Sequence, residues 1–421
     1  MLKIRNVQLP SGKCADIIIE GSKIQSVEEA TISEEGIDGT GLIVIPGIID
    51  PHVHFRIPGA WHKEDWETGS ASALKGGVTT VFDMPNTSPP LTTFERLMEK
   101  RKIVGTGHKI NAYFWFGATP NNLAEIAAVS KEPDIIGVKV YMSSASRDLL
   151  VVEEKDLYQI FSTCATNNLI VGVHAEDEAL IQIKRSKLER DPQISDHCLI
   201  RDTPVETSAV RKALRLARET GCQLYLCHIS TPEGVELALE AKERGQPVFI
   251  EVTPHHITLD EERLKGANGC YFKMNPPLRI AEQITRLREY VCQGYIDTIG
   301  SDHAPHTKTE KQSIGYDNVP SGVPGVETLL PILLNLVAGE QLMMERLVSL
   351  TSSNAAKIFR LASKGKIEKG CDADLVLIDP NQKVVIRNQD MATKCGWTPY
   401  DGMTIRGVPK IIISGGIVAQ N

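Results

Sequence analysis

No stretch of this sequence approaches the ~20 consecutive apolar residues that a membrane-spanning helix needs. The opening MLKIRNVQLP also lacks the apolar core of a secretory leader. Both absences lead us to expect a soluble, cytoplasmic protein. The nine cysteines (Cys14, Cys164, Cys198, Cys222, Cys227, Cys270, Cys292, Cys371, Cys395) form no C-x-x-C pair. That argues against a zinc knuckle or a disulfide framework and leaves them as buried thiols. No G-x-G-x-x-G follows an early strand, so the phosphate-binding turn of a dinucleotide-binding open sheet is missing. A basic stripe is missing too. With 46 Lys and Arg against 53 Asp and Glu the net charge is −7, a poor match for nucleic acid and a better one for a small-molecule substrate.

What remains is globular: 42% hydrophobic and 24% charged residues, with no low-complexity tract. The length of 421 residues suits a barrel of ~250 residues plus an accessory domain. Both chain ends read as β meanders, LKIRNVQL and CADIIIEGSKIQSVEE at the start, DADLVLIDP, KVVIRN and GVPKIIISGGIVA at the close. The middle instead carries eight apolar β-type runs: LIVIPGIIDPHVHF, VTTVFDMPN, INAYFWFGAT, IIGVKVYMSS, LIVGVHAED, QLYLCHIS, PVFIEVTPHH and YIDTIGSDHAPH. Stretches of helical periodicity such as VETSAVRKALRLARE separate them, the pattern of repeated βα units with buried parallel strands. The expected fold is α/β, a (β/α)8 TIM barrel over residues 50–360. A small β-sandwich domain is expected from both ends, residues 1–49 and 361–421.

Chemistry-bearing residues gather at the ends of those runs. His52 and His54 follow IVIPGIID, and a strand's period of two points both imidazoles the same way. Two imidazoles on one face can grip a divalent metal such as zinc, although the pair alone fits two hydrogen-bonded core histidines equally well. His174 closes LIVGVHAED, His228 closes QLYLCHIS, and Asp302 lies in YIDTIGSDHAPH. The C-terminal strand ends of a barrel share one face, so these distant segments deliver their side chains to one place. Lys139 ends IIGVKV, where an amine is costly unless neutral, paired or modified. It is either half of a buried salt bridge or a desolvated amine that takes up CO2 as a carbamate able to bridge two metal ions. Asp83 and Glu176 are strand-end carboxylates suited to orienting ligand histidines. His255 and His256 end a run at the same face, whereas His62, His108 and His197 read as surface residues.

These motifs together resemble the amidohydrolase superfamily and, within it, the dihydroorotases. The likeness spans nearly the whole chain: PGIIDPHVHFR, HKEDWETGSASALKGGVTTVFDMPNT, GVKVYM, GVHAED, LCHIS, EVTPHH, FKMNPPLR, SDHAPHT and GKIEKGCDADLVLID. The resemblance implies that His52, His54 and Asp302 bind one divalent ion and His174 and His228 the other. Carboxylated Lys139 would bridge them, and zinc is the favoured metal. Some dihydroorotases use a bridging aspartate instead; GVKVYM resembles the carboxylated-lysine branch. Such ions lower the pKa of bound water from 15.7 to roughly 7, and Asp302 would act as general base and then general acid. Arg56 would hold the substrate's carboxylate, and Asn86, Asn275, His306 and the backbone near Ser321 and Gly322 would complete the pocket. Plainer roles stay open: Asn86 and Asn275 as turn caps, His306 as a partner of Asp302. The stretch Ser143 to Ser146 is either a mobile loop over the substrate or an ordinary βα connection.

Hydantoinases, dihydropyrimidinases and allantoinases share the ligand set, and Arg56 separates them, because their rings lack the carboxylate it would hold. A catalytically silent homologue serving a carbamoyltransferase is a further alternative, against which stands a complete ligand set. A homodimer is the base-rate expectation.

Overall fold

The computed structural model describes residues 1–31, 35–105 and 108–420. The N-terminal meander supplies β1 (Leu2–Gln8), β2 (Cys14–Glu20), β3 (Lys23–Glu29), β4 (Ile37–Asp38) and β5 (Ile43–Pro46). All eight apolar runs then yield the barrel strands. These are β6 (Ile48–Val53), β7 (Val78–Asp83), β8 (Asn111–Gly117), β9 (Ile135–Tyr141), β10 (Val171–His174), β11 (Leu224–Leu226), β12 (Val248–Val252) and β13 (Thr298–Ile299). The chain returns through β14 (Leu375–Val385), β15 (Thr404–Ser414) and β16 (Ile417–Gln420).

The two chain ends share one sheet of order β16-β15-β14-β5-β1-β2-β3, with β4 on β1. The seam is β5 against β14, antiparallel, with Val44 opposite Leu377 and Ile45 opposite Val376. Alternating Ile4, Ile17, Ile19, Val44, Leu375, Leu377 and Ile413 bury its apolar face. At about 1.5–3 kcal/mol per fully buried aliphatic side chain, that row joins segments more than 300 residues apart. Gly47 separates β5 from β6, and a Cβ there would stand 2.1 Å from Thr79 Oγ1, so only glycine lets the chain cross between domains at this point.

The barrel strands pair in parallel in chain order from β6 to β13. A bridge between Val53 and His303, with the His54 N–H donating to His303 O at 2.8 Å, joins the two end strands. β9 is buried at all seven positions, as expected of a strand covered on both faces. Trp115 of β8 fills the barrel floor. Cβ atoms at Gly137 and Gly172 would each come within 2.7 Å of its ring, and its indole N–H donates to Pro51 O at 3.0 Å. The outer helices follow their sequence signals. Thr203–Thr220 has proline in its first turn, ends on Gly221 at φ 72°, and buries Val205, Ala209, Val210, Ala213, Leu214 and Ala217 at the i, i+4 spacing of one face. Among the described residues no helix is long and apolar enough to cross a membrane. All nine cysteines are free thiols, but Cys14 is exposed and Cys198, Cys270 and Cys292 are half-buried. The buried-thiol expectation therefore holds for five of them; Cys14 fails it because it opens β2 beside a solvent-facing turn.

Candidate metal centre and substrate pocket

With the floor filled, the open end of the barrel holds a cavity of about 510 Å3. Every site residue expected from the sequence lines it except Lys139, which is fully buried on β9. The period-two argument works at β6: His52 and His54 both turn to Asp302 Oδ1, at 3.3 Å and 3.2 Å from their Nε2 atoms. Ligand atoms of these three residues all lie within 4.8 Å of one another. A second pair converges opposite them, His174 Nδ1 and His228 Nε2, 3.0 Å apart, and the His52 and His228 ring centroids are 5.0 Å apart.

Acceptors tie back the other ring nitrogen of His52, His54 and His174, whereas His228 Nδ1 is buried without a partner among the described residues. His52 Nδ1 faces Glu251 Oε1 at 2.8 Å, His54 Nδ1 faces Asn86 Oδ1 at 2.6 Å, and His174 Nε2 faces Glu176 Oε2 at 2.6 Å. A carboxylate or amide oxygen can only accept, so in each ring the tied nitrogen carries the proton and the lone pair points inward. Burial, with the Lys139 amine beside them, holds His52 and His228 well below the ordinary imidazole pKa, so both are neutral, as metal ligands must be. Burial pushes the Asp302 carboxyl upward, but positive charge and N–H donors gathered round it, from His52, His54 and Lys139, bring it down to about 2; a cation between the three residues would do the same with the rings neutral.

The Lys139 amine is buried and makes no hydrogen bond; its nearest aromatic neighbour is the Tyr141 ring, 5.3 Å away. The salt-bridge alternative is thereby removed. An unpartnered buried amine is costly, and a group that adds oxygens to it toward the two ligand sets would relieve that cost. The donor set of four imidazoles, one ionised carboxylate and this lysine fits a pair of divalent cations. His228, Asp302 and Arg56 also carry left-handed backbone angles, φ 37°, 45° and 65°, rare for such side chains and typical of sites where geometry is imposed on the chain.

Beyond the ligands the wall is cationic. Arg56 donates from Nε to Pro305 O at 3.1 Å, and its Nη2 lies 3.1 Å from His306 Nε2. Burial and the cations Arg56, Lys63 and Lys311 hold His306 well below its ordinary pKa, so the ring is neutral. Lys63 Nζ faces His306 Nδ1 at 3.1 Å, and an ammonium only donates. The single ring proton therefore sits on Nε2, directed to Ser321 O at 3.1 Å. Arg56 Nη2 thus meets a protonated nitrogen, and among the described residues it has no carboxylate partner. Two donors side by side without an anion between them form a carboxylate-binding corner. Asn275 adds a buried Oδ1 with no partner, whereas the Gly322 N–H is already given to Lys273 O at 3.0 Å.

Several expectations change. Asn86 caps no turn through its amide oxygen but holds His54. His306 does not touch Asp302; it turns to Arg56 and the 320–322 strap. Asp83 orients no histidine: it accepts the Phe55 N–H at 2.8 Å and pairs with Lys100, and so fixes the backbone past His54. His197 is not at the surface. It is buried, lines the cavity and bonds Tyr316 Oη and Met274 O at 2.7 and 2.8 Å. His62 is exposed beside Glu310, His108 is half-buried, and His256 is used up by Thr253 and Pro276 O. Ser144, Ala145 and Arg147 do line the cavity, and the Ser144 N–H donates to Glu178 Oε2 at 2.7 Å.

Residues unnoticed in the sequence are Glu251, Tyr141, Arg201 and Lys273. Glu251 accepts from His52 Nδ1 and from the His228 N–H, both at 2.8 Å. Tyr141 shares the inward face of β9 with Lys139, and its buried hydroxyl has no partner. Arg201 pairs with Glu176; with His174 it holds that carboxyl down to about 2 against the upward push of burial. Glu176→Gln is expected to weaken divalent-metal binding about 10–100-fold, measured by chelator competition, and to lower the unfolding midpoint because buried Arg201 loses its partner.

Residues 43–418 match the family model described as Amidohydrolase family. The chain is 36% identical to a dihydroorotase of Halobacterium salinarum over 406 residues, 96% of this chain and 92% of that one. It is 38% identical to a dihydroorotase of Methanosarcina mazei, covering 92% of this chain and 87% of the relative. Among solved structures, the L-hydantoinase (dihydropyrimidinase) from Arthrobacter aurescens superimposes with a TM-score of 0.95 at 31% identity, over 100% of this chain and 96% of that one.

Proposed function

The chain belongs to the amidohydrolase family, and on that premise we propose that it is a dihydroorotase, opening the cyclic amide of dihydroorotate to N-carbamoyl-aspartate and closing it in reverse. The observation that carries this reading is the corner beside His306, where the buried Arg56 Nη2 group has no carboxylate partner among the described residues. His52, His54 and Asp302 would hold one divalent cation, by preference zinc, His174 and His228 would hold a second, and Lys139 would contribute as a CO2-derived carbamate. When bound, the cations would supply a water of lowered pKa and polarisation of the amide carbonyl. Asp302, ionised at neutral pH, takes the proton of the attacking water and passes it to the leaving ring nitrogen. Arg56 fixes the ring carboxylate beside His306, the free Oδ1 of Asn275 accepts a ring N–H, and Asn86 keeps His54 in its tautomer.

The L-hydantoinase likeness makes carboxylate-free rings the second reading, and a silent partner of a carbamoyltransferase the third. Zinc-loaded protein assayed on dihydroorotate and on dihydrouracil separates the three. Faster opening of dihydrouracil favours the second, and no turnover of either ring the third. On the dihydroorotase reading Arg56→Gln raises KM for dihydroorotate about 10–100-fold, the loss of a charge-assisted contact of ~1.5–3 kcal/mol, and leaves dihydrouracil almost unaffected. Equal losses on both rings would remove Arg56 from carboxylate binding. A homodimer remains our proposal for the assembly, measurable by light scattering.

A further inference from the structure

We propose that Lys311 is a positioning residue, which keeps the substrate-carboxylate corner in shape by clamping the strap of residues 320–322 to the barrel mouth. This rests on the dihydroorotase reading for its kinetic consequences, though not for its structural ones. Lys311 is fully buried, a rare state for lysine unless its ammonium is fully engaged. It ends the short helix Lys308–Lys311, which a capping box between Thr307 and Glu310 fixes in place. Its Nζ donates to Lys273 O at 2.9 Å, Pro320 O at 2.9 Å and Gly322 O at 3.1 Å. An ammonium has three protons, so each has its own carbonyl. The Trp397 ring, 5.9 Å away, covers the group.

Between the two clamped strap carbonyls stands Ser321, whose own carbonyl receives the His306 Nε2–H at 3.1 Å. Lys311 therefore fixes the acceptor that keeps the His306 proton beside Arg56. The strap has no lateral slack on its other side: Gly322 sits at φ 135°, and a Cβ there would meet Ala304 O at 2.5 Å. All hydrogen-bond acceptors of Lys311 are neutral carbonyls, and no carboxylate pairs with it among the described residues. Burial first, then the nearby Lys273 ammonium, brings the Lys311 pKa down to about 7; Arg56 acts in the same direction and Cys270 in the opposite one. Lys273 itself is lowered by burial to about 8, and the neutral His306 ring completes the titratable surroundings. A deprotonated amine keeps two protons for three carbonyls and turns a lone pair toward one of them. The clamp thus loosens as pH rises through about 7 and holds below it.

The test compares wild type, Lys311→Met and Lys311→Arg, all zinc-loaded. In Lys311→Met the KM for dihydroorotate rises about tenfold, while kcat falls less than about twofold. Wild-type KM increases between about pH 6 and about pH 9, and that increase disappears in Lys311→Arg, whose guanidinium does not titrate there. A wild-type KM in Lys311→Met, or superimposable pH profiles for wild type and Lys311→Arg, overturns the clamp. Amide hydrogen exchange at Gly322 reads it without any substrate: the N–H bonded to Lys273 O exchanges faster in Lys311→Met, and faster in wild type above about pH 8 than below about pH 6.5 after correction for intrinsic exchange. Unchanged protection overturns the proposal even if the protein opens a different ring, whereas a wild type that ignores dihydroorotate overturns the functional reading alone. Should Lys311→Met fail to fold, the wild-type exchange profile and Lys311→Arg decide.

Discussion

Asp302→Asn is expected to lower kcat for dihydroorotate by about 10³- to 10⁴-fold, the range for losing a positioned general base. The substitution keeps the side chain's size, and asparagine tolerates the left-handed backbone at this position, φ 45°, better than almost any other residue. An amide oxygen can still face His52 and His54, so the fold should survive, and a shift in unfolding midpoint of more than a few degrees would point to another role. What disappears is the negative charge. The carboxyl held down to about 2 is a base at every pH at which the protein would be assayed, and its replacement accepts no proton. It also ligates metal less well, so metal content measured beside kcat separates the two losses: restored zinc with no restored turnover isolates proton transfer. Turnover within about tenfold of wild type would end the assignment of Asp302 as the proton carrier.

Lys139→Met carries the other large effect. The native amine makes no hydrogen bond, so methionine of similar length removes nothing that the rest of the protein holds. An apolar group in place of an unpartnered buried amine should leave the metal-free protein at least as stable as wild type. Activity should nonetheless fall at least about 10³-fold, the scale on which losing one preorganised electrostatic group at a reacting centre acts. Metal content should fall with it, from two ions per chain toward one. Intact-mass measurement under native conditions complements the variant: wild type carries the added mass of one CO2 and loses activity when bicarbonate is stripped, and Lys139→Met shows neither. A fully active Lys139→Met, or wild type binding two metals with an unmodified amine, would dismiss the bridging carbamate.

The fold was legible in the sequence because buried parallel strands have no polar face to hide. Runs such as IIGVKVY are apolar but for one residue, and each became a barrel strand. The candidate ligands were legible because they break those runs: a histidine or lysine ending an apolar strand is costly without a task, and period two then fixes its direction. Glu251 broke a run in the same manner, inside PVFIEVT, and could have been read from the same rule. Lys311, Lys273 and Arg201 could not. They lie on short helical turns or irregular segments, where no periodicity says which side faces inward, and their partners are main-chain carbonyls or distant carboxylates that leave no trace in local sequence. His197 was misplaced for the same reason. Polar neighbours in sequence suggested solvent, but tertiary packing against Tyr316 and Met274 put it inside.

The left-handed angles at Arg56, His228 and Asp302 place the best possible scaffold and the working catalyst at different sequences. Each such residue holds the folded state above its relaxed energy by about 1–3 kcal/mol. A chain free to drift toward sturdiness alone would exchange them for glycine or asparagine and become a tougher, idle barrel. Thermal resilience in descendants of this protein is therefore a poor guide to whether they still turn over substrate.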